Sequence, residues 1–125
     1  MSCIRNPVGW FEIYVQDMPR ARAFYEAVLG VTLQNLGMDS PEIWAFPAKP
    51  DQFGCGGALV HVPGMPSGGN STWVYFSCTD CANEEKKVVQ AGGKVVQPKF
   101  SVGQYGFVAL MQDTEGNNFG LHSMV

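Results

Sequence analysis

The chain has 125 residues and a mass of 13.6 kDa, which is a usual length for a single domain. Only 15% of its residues are charged, the net charge is −3, and the 8 lysines and arginines are scattered, which argues against nucleic-acid binding. No apolar run approaches the roughly 20 residues of a membrane helix, and the first residues lack the apolar segment of a signal peptide. We therefore expect a cytoplasmic protein without a membrane partner.

The first predicted element is a strand at residues 10–15, in which two kinds of side chain alternate. Its apolar face carries Phe11, Ile13 and Val15, and its aromatic and polar face carries Trp10, Glu12 and Tyr14. A helix follows, because Asp17 is a good N-cap and Gly30 can end a helix in the left-handed conformation. Three further strands are predicted at 31–36, 42–47 and 57–62.

The segment 63–70 is rich in glycine and proline and is predicted to be a linker. After it, the same order of elements returns. A strand at 73–78 has Val74, Phe76 and Cys78 on one face and Trp73, Tyr75 and Ser77 on the other. Asp80 caps a helix at about 81–91, and strands are predicted at 94–100, 107–112 and 118–124.

The two halves of the chain are therefore a repeat. Residues 10–34 align without a gap on 73–97, and identical residues fall in matching places: Trp10 and Trp73, Asp17 and Asp80, Gly30 and Gly93, Gln34 and Gln97. This pattern predicts an α+β fold of two tandem βαβββ modules within one domain covering residues 1–125. Module one spans 7–62 and module two spans 71–125.

Cys78 and Cys81 form a C-T-D-C motif, a spacing found in redox and zinc sites. A structural zinc ion needs four ligands, usually from a second close pair, and Cys3 and Cys55 are isolated. A thioredoxin-like site needs a parallel βαβ unit, which the predicted elements do not provide. We therefore expect free thiols that behave as small apolar side chains.

Three segments resemble a known family. They are V-Q-D-M-P-R-A-R-A-F-Y-E-A-V-L-G at 15–30, A-G-G-K-V-V-Q-P-K at 91–99 and D-T-E-G-N-N-F-G-L-H-S at 113–123. With them the chain resembles the vicinal oxygen chelate superfamily, which includes glyoxalase I, bleomycin resistance proteins and extradiol dioxygenases, and in particular the subgroup related to lactoylglutathione lyase. The resemblance implies a glyoxalase-like fold whose modules form an open, U-shaped cleft of mixed sheets. It also implies a homodimer.

The resemblance further implies a divalent metal held by His, Glu or Gln from the first and last strands of each module. Those positions fall on Trp10, Trp73 and Gly120, with the fourth near Gly57 or Ala58. None of these side chains can bind a metal. We therefore expect no metal and no cofactor. An atypical site made of His61, His122 and Glu12 is the alternative.

The alternation of the strands predicts which residues line the cleft. The candidate ligand-binding residues are Trp10, Tyr14, Trp44, Trp73, Tyr75, Ser77, Tyr105 and Gly120. The two symmetric tryptophans either hold a planar or cationic ligand between them or pack together and fill a disused cavity. Glu12 and His122 are the candidate catalytic residues for proton transfer. Glu12 is otherwise a partly solvated carboxylate bonded to Tyr75 or another donor.

Three functions are compatible with these residues. The first is a metal-free protein that binds a small planar or apolar molecule, as bleomycin resistance proteins do. The second is a lyase or isomerase related to lactoylglutathione lyase, which would use Glu12 and His122 or an atypical metal site. The third is a structural or regulatory dimer whose cleft is filled by its own side chains.

Overall fold

In the described residues, two helices and eight strands follow one another in the order that the repeat predicts. The computed structural model describes residues 6–37 and 40–125. The first module contains β1 (Phe11–Tyr14), α1 (Met18–Leu29), β2 (Gln34–Asn35), β3 (Glu42–Ala45) and β4 (Gly57–His61). The second contains β5 (Tyr75–Ser77), α2 (Cys81–Gln90), β6 (Lys94–Ser101), a 3-10 turn (Gly103–Tyr105), β7 (Phe107–Gln112) and β8 (Asn118–Ser123).

Each module forms its own four-stranded mixed sheet. The strand orders are β1-β4-β3-β2 and β5-β8-β7-β6. In both sheets the first strand is parallel to the last strand of its module, and the other neighbours are antiparallel. The predicted α+β fold of two βαβββ units is therefore confirmed.

The helix boundaries follow from their end residues. The Asp17 side chain accepts a hydrogen bond from the amide of Arg20, and Gly30 ends α1 with a φ of 66°. The Asp80 side chain accepts from the amide of Ala82 at the start of α2. The apolar residues at helical spacing on α1, which include Phe24 and Tyr25, are buried as predicted.

Most of the predicted strands are shorter in the structure, and two of them differ most clearly. The strand predicted at 31–36 is reduced to the two residues of β2, and the strand predicted from Trp73 begins at Tyr75. β2 lies at the outer edge of its sheet and pairs only with β3, so fewer of its residues find backbone partners. An alternating sequence identifies the strand, but its paired neighbour fixes its length.

One aromatic cluster joins the two modules. Its six rings are Phe11, Phe24, Tyr25, Phe46, Phe76 and Phe119. Neighbouring ring centroids are 4.9 to 6.0 Å apart, mostly tilted or edge to face. Because both modules supply rings to it, they share a single core.

The turn between β7 and β8 forms a polar clamp on the first module. We call residues 113–117 the inter-module clamp. Glu115 accepts hydrogen bonds from the amides of Gln16 and Asp17, each at 2.9 Å, and forms an ion pair with Arg20. Burial opposes the ionisation of Glu115, but these donors outweigh it and lower its pKa to about 2. This turn therefore has a second role, because its carboxylate binds the N-terminus of α1.

Two further clamp residues, Asp113 and Asn117, reach deeper into the interface. The buried Tyr25 hydroxyl donates to the Asp113 carboxylate at 2.6 Å, and the Asn117 amide donates to the backbone carbonyl of Tyr14 at 2.9 Å. Burial raises the pKa of Asp113, and its hydrogen bonds oppose that rise. The clamp therefore holds both the first strand and the first helix of module one.

Cys55, Cys78 and Cys81 are free thiols, and Cys3 lies outside the described residues. Cys81 is fully buried in the core, and Cys78 packs against it. Burial, followed by the charge of Glu84, raises the pKa of Cys78 to about 12, so its thiol stays protonated and unreactive at neutral pH. These properties agree with the predicted role as small apolar side chains. Among the described residues, no helix is long and apolar enough to span a membrane.

Candidate functional site

The face of the two sheets that points away from the helices carries most of the predicted site residues. We call it the open face. It is formed by Trp10, Glu12 and Tyr14 around β1, Tyr75 and Ser77 on β5, and Gly120 and His122 on β8. Trp73 precedes β5 and is partly buried. Trp10 and Tyr75 are 47% and 49% exposed, which is high for such large rings.

The strand register identifies the fourth position at which the resemblance implies a metal ligand. Glu12 pairs with Ala58 in module one, and Tyr75 pairs with Gly120 in module two. Ala58 is therefore the counterpart of Gly120. Gly57 lies on the other side of the sheet, where a Cβ would collide with the ring of Phe11.

The residues at these four positions do not fit a divalent metal ion. Ala58 and Gly120 have no donor atom, and the indoles of Trp10 and Trp73 offer only an N–H group. Any side chain at Gly120 would also collide with the ring of Tyr75, which lies over this glycine. Aromatic surface therefore occupies the place at which the family's ligands would converge.

Glu12 is exposed on the open face, and its partner is a neighbour on the same strand. The indole nitrogen of Trp10 donates to Glu12 Oε2 at 3.2 Å. Two of the predicted site residues thus hold each other in place. The donor is Trp10 rather than Tyr75, the partner that the sequence analysis named first.

His122 lies two residues beyond Gly120 on the same face, and its Nε2 is 2.7 Å from the backbone carbonyl of Tyr105. A carbonyl can only accept, so Nε2 carries the proton and Nδ1 of the neutral ring is left as an acceptor. Tyr105 itself is 68% exposed in the 3-10 turn, and its backbone orients this imidazole.

The alternative metal set is not brought together. His61 follows Leu59 by two residues on β4, and Leu59 is fully buried against the helices. His61 therefore lies on the helix side of its sheet, whereas His122 lies on the open face of the other sheet. Throughout 6–37 and 40–125, no three His, Cys, Asp or Glu side chains are grouped so that they could hold a metal ion.

The prediction that Trp44 lines the cleft is wrong. Trp44 pairs with the buried Leu59 and faces α1, where the Arg22 guanidinium lies 3.4 Å from its ring centroid. Its indole nitrogen donates to Glu42 at 2.9 Å. The strand β3 carries no clear contrast between its two faces, so the sequence could not show which way this ring points.

A groove that the sequence patterns do not predict runs beside β1. We call it the β1 groove; its volume is about 350 Å³. Glu12 and Tyr14 line it together with Met65, Pro66 and Val74, so it adjoins the open face. The linker at 63–70 was predicted from its glycines and prolines, which show that it turns but do not show what it covers.

Comparison with known proteins supports the same fold. A family model described as glyoxalase/bleomycin resistance protein/dioxygenase superfamily matches residues 8–121. The candidate glyoxylase CFP32 of Mycobacterium bovis and of Mycobacterium tuberculosis is 29% identical over 112 residues, which is 90% of this chain. The chain spans 42% of the length of these relatives.

Solved structures add further likenesses. A glyoxalase I mutant from Zea mays has a TM-score of 0.74 at 19% identity, over 94% of this chain and 46% of that one. TnmS3, an antibiotic binding protein from Streptomyces sp. CB03234, has a TM-score of 0.69 at 23% identity, over 98% of both chains. These likenesses show a shared fold. The family model covers nearly the whole chain, and the protein therefore belongs to the glyoxalase/bleomycin resistance protein/dioxygenase superfamily.

Proposed function

We propose that this protein binds a small, planar or apolar molecule on its open face without the help of a metal ion. The observation that carries the proposal is a pair of half-exposed rings: Trp10 stands at one position where the family's metal chemistry would need a ligand atom, and Tyr75 lies over Gly120 at another. Flat aromatic surface binds planar and cationic molecules, whereas it cannot polarise a carbonyl.

The β1 groove supports the proposal by its size and lining. Its volume of about 350 Å³ falls within the range of small-molecule sites, roughly 300–1,000 Å³. Met65, Pro66 and Val74 give it apolar walls, while Glu12 and Asn118 supply a few polar groups. An apolar pocket with few polar groups is typical of a site that binds a largely apolar ligand.

The structural comparison gives the proposal a precedent. TnmS3 is an antibiotic binding protein, so a protein with this fold holds a small molecule. At 23% identity the likeness extends to the fold, and the ligand of the present chain has to come from experiment.

Thermal unfolding tests the proposal. We expect planar aromatic probes, 9-aminoacridine and anthraquinone-2-sulfonate, to raise the melting temperature of the wild-type protein, because a ligand that binds only the native state stabilises it. The double variant Trp10→Ala, Tyr75→Ala should lose this rise. Val89→Ala, which removes an exposed apolar side chain from the outer surface of α2, should keep it.

Two results would contradict the proposal. An unchanged rise in the double variant would place the binding site elsewhere. A wild-type protein that responds to neither probe would favour the third function, a dimer whose cleft is filled by its own side chains.

The alternative function, a lyase or isomerase, rests on the orientation of His122. Its hydrogen bond to the Tyr105 carbonyl leaves Nδ1 as an acceptor, which suits a general base, and the exposed Glu12 carboxylate could act with it. If the protein is such an enzyme, Glu12→Gln should abolish turnover and leave ligand affinity nearly unchanged. Glu42→Gln is a matched control, since Glu42 also accepts from a tryptophan two residues away but does so beside α1. Equal turnover in both variants would reject a catalytic role for Glu12.

The homodimer and the cytoplasmic location stay parts of this proposal. Exposed apolar side chains at Tyr105, Met124 and Val125 support a contact between two copies. The free thiols of Cys78 and Cys81 are compatible with a reducing compartment.

A further inference from the structure

A second cavity lies between the modules, at the end of β1 opposite the β1 groove. Its volume is about 230 Å³, and we call it the Glu84 cavity. The rings of Phe11, Phe46 and Phe76 line it together with Ser77, Cys55 and Glu84. Ser77 also belongs to the open face, but Phe11, Phe46 and Phe76 belong to the helix side of the sheets, so the cavity lies largely on that side.

The repeat explains why this space exists. On one side of the module interface the clamp at 113–117 covers the start of α1. The segment in the matching place of module one is the loop between β3 and β4, at 46–56. Its backbone hydrogen bonds, Phe46 to Gly57 and Gln52 to Lys49, stay within module one. Across the described residues, no hydrogen bond joins this loop to α2. Hydrogen bonds from the β-turn segment therefore join the modules on the clamp side, and the matching loop forms none on the α2 side.

Glu84 brings a carboxylate with one unpartnered oxygen to the side of the module interface that has no clamp. Its Oε1 is buried and has no hydrogen-bond partner among residues 6–37 and 40–125. Nor does any lysine or arginine of these residues form an ion pair with it. A buried carboxylate oxygen without a donor costs free energy, because it has lost its water without gaining a partner.

The donor that lies beside Glu84 inside the protein is a weak one. After the larger effect of burial, the charge of Glu84 and a hydrogen bond to its side chain raise the pKa of the Cys78 thiol. That thiol also hydrogen bonds to the carbonyl of Phe76, with Sγ 3.6 Å from the oxygen. A thiol is a poor donor, so this contact compensates the Glu84 carboxylate only weakly and Oε1 is left for a partner from outside.

We propose that the Glu84 cavity binds a small organic cation, namely a protonated primary amine attached to an apolar body. The ammonium group would pair with the Glu84 carboxylate, and the apolar body would lie against Phe11, Phe46 and Phe76. Among the described residues that line the cavity there is no lysine or arginine to repel a cation. This site goes beyond the proposed function, because it uses none of the open-face rings.

Isothermal titration with benzylamine, and with benzyl alcohol as its uncharged analogue, tests the proposal at pH 7. We expect the wild-type protein to bind benzylamine at least tenfold more tightly than benzyl alcohol. Glu84→Gln should remove this preference, because the amide keeps the shape and loses the charge. Asp51→Asn should keep it, since Asp51 is exposed in the neighbouring loop and the variant changes the net charge equally.

Amide chemical shifts of the wild-type protein give a second readout that needs no variant. Benzylamine should move the amide signals of Leu29, Val31 and Phe46 more than those of Trp10 and Tyr14, which lie at the open face. A tenfold preference that persists in Glu84→Gln, no binding of benzylamine by the wild type, or shifts confined to the open face would each overturn the proposal. Binding of the planar probes to the open face can succeed or fail independently of these results.

Discussion

Glu115 shows how much one buried carboxylate can organise. Its side chain is fully buried, yet it accepts two backbone amides from the N-terminus of α1 and the guanidinium of Arg20, with Nε 2.6 Å from Oε2. A helix N-terminus favours negative charge, so both this terminus and the Arg20 guanidinium stabilise the ionised carboxylate of Glu115. Because Glu115 belongs to module two, the start of α1 depends on contacts from both modules.

We expect Glu115→Gln to lower the free energy of unfolding by about 2 kcal/mol at pH 7, because the buried amide loses the charge that Arg20 and the helix N-terminus stabilise. The folded pKa of Glu115, about 2, lies below its ordinary value of 4.5, so its stabilisation is present above pH 4.5 and is lost as the pH falls toward 2. Urea unfolding at pH 7 and at several lower pH values measures this effect.

The difference between wild type and Glu115→Gln should therefore shrink as the solution becomes more acidic. Asp51→Asn, at an exposed carboxylate, should change the unfolding free energy by less than about 0.5 kcal/mol at every pH. A difference between wild type and Glu115→Gln that stays constant with pH would contradict the charge argument.

Among the elements, α1 is the one that the sequence specifies most completely. Asp17 begins it and Gly30 ends it, and both act through local backbone geometry. The strands differ in this respect. β1 and β5 have contrasting faces and were oriented correctly, whereas β3 has intermediate burial along its whole length, and Trp44 points to the helix side. Alternation gives an orientation only where the two faces differ in polarity.

We expect Gly30→Ala to destabilise the protein by about 1 kcal/mol, because Gly30 has a φ of 66°, which residues with a Cβ adopt at a cost. Chemical denaturation measures the change. Gly9→Ala is the matched control, since Gly9 has no positive φ and no atom lies within 4 Å of an added Cβ. Equal losses in the two variants would mean that the backbone conformation is not the cause.

At the scale of the whole molecule, two different interactions hold the modules together. The aromatic cluster supplies apolar burial in the middle, and the inter-module clamp supplies hydrogen bonds on one side. Within the part of the chain that the structure describes, the other side, beside α2, has no such clamp and contains the Glu84 cavity. The fold is thus a nearly symmetric repeat with an asymmetric interface, and both cavities lie along that interface.

Sedimentation equilibrium tests the proposed homodimer. We expect a mass of about twice 13.6 kDa at micromolar concentration, because the exposed side chains of Tyr105 and Met124 would be covered by a second copy. Tyr105→Ser should shift the equilibrium toward the monomer, and Val89→Ala, at an exposed site on α2, should not. A wild-type protein with the monomer mass would reject the dimer.

The sequence by itself determined the elements, their order and the repeat, because helix caps, alternation and turn residues act over a few neighbouring positions. It also determined that Trp10, Trp73 and Gly120 cannot bind a metal, since that follows from side-chain chemistry alone. Tertiary structure decided what depends on residues far apart in the chain. It paired Tyr75 with Gly120, turned Trp44 toward α1, separated His61 from His122 and placed Glu115 on α1. The unpartnered oxygen of Glu84 also became visible only in three dimensions, because a missing partner is a property of the surroundings.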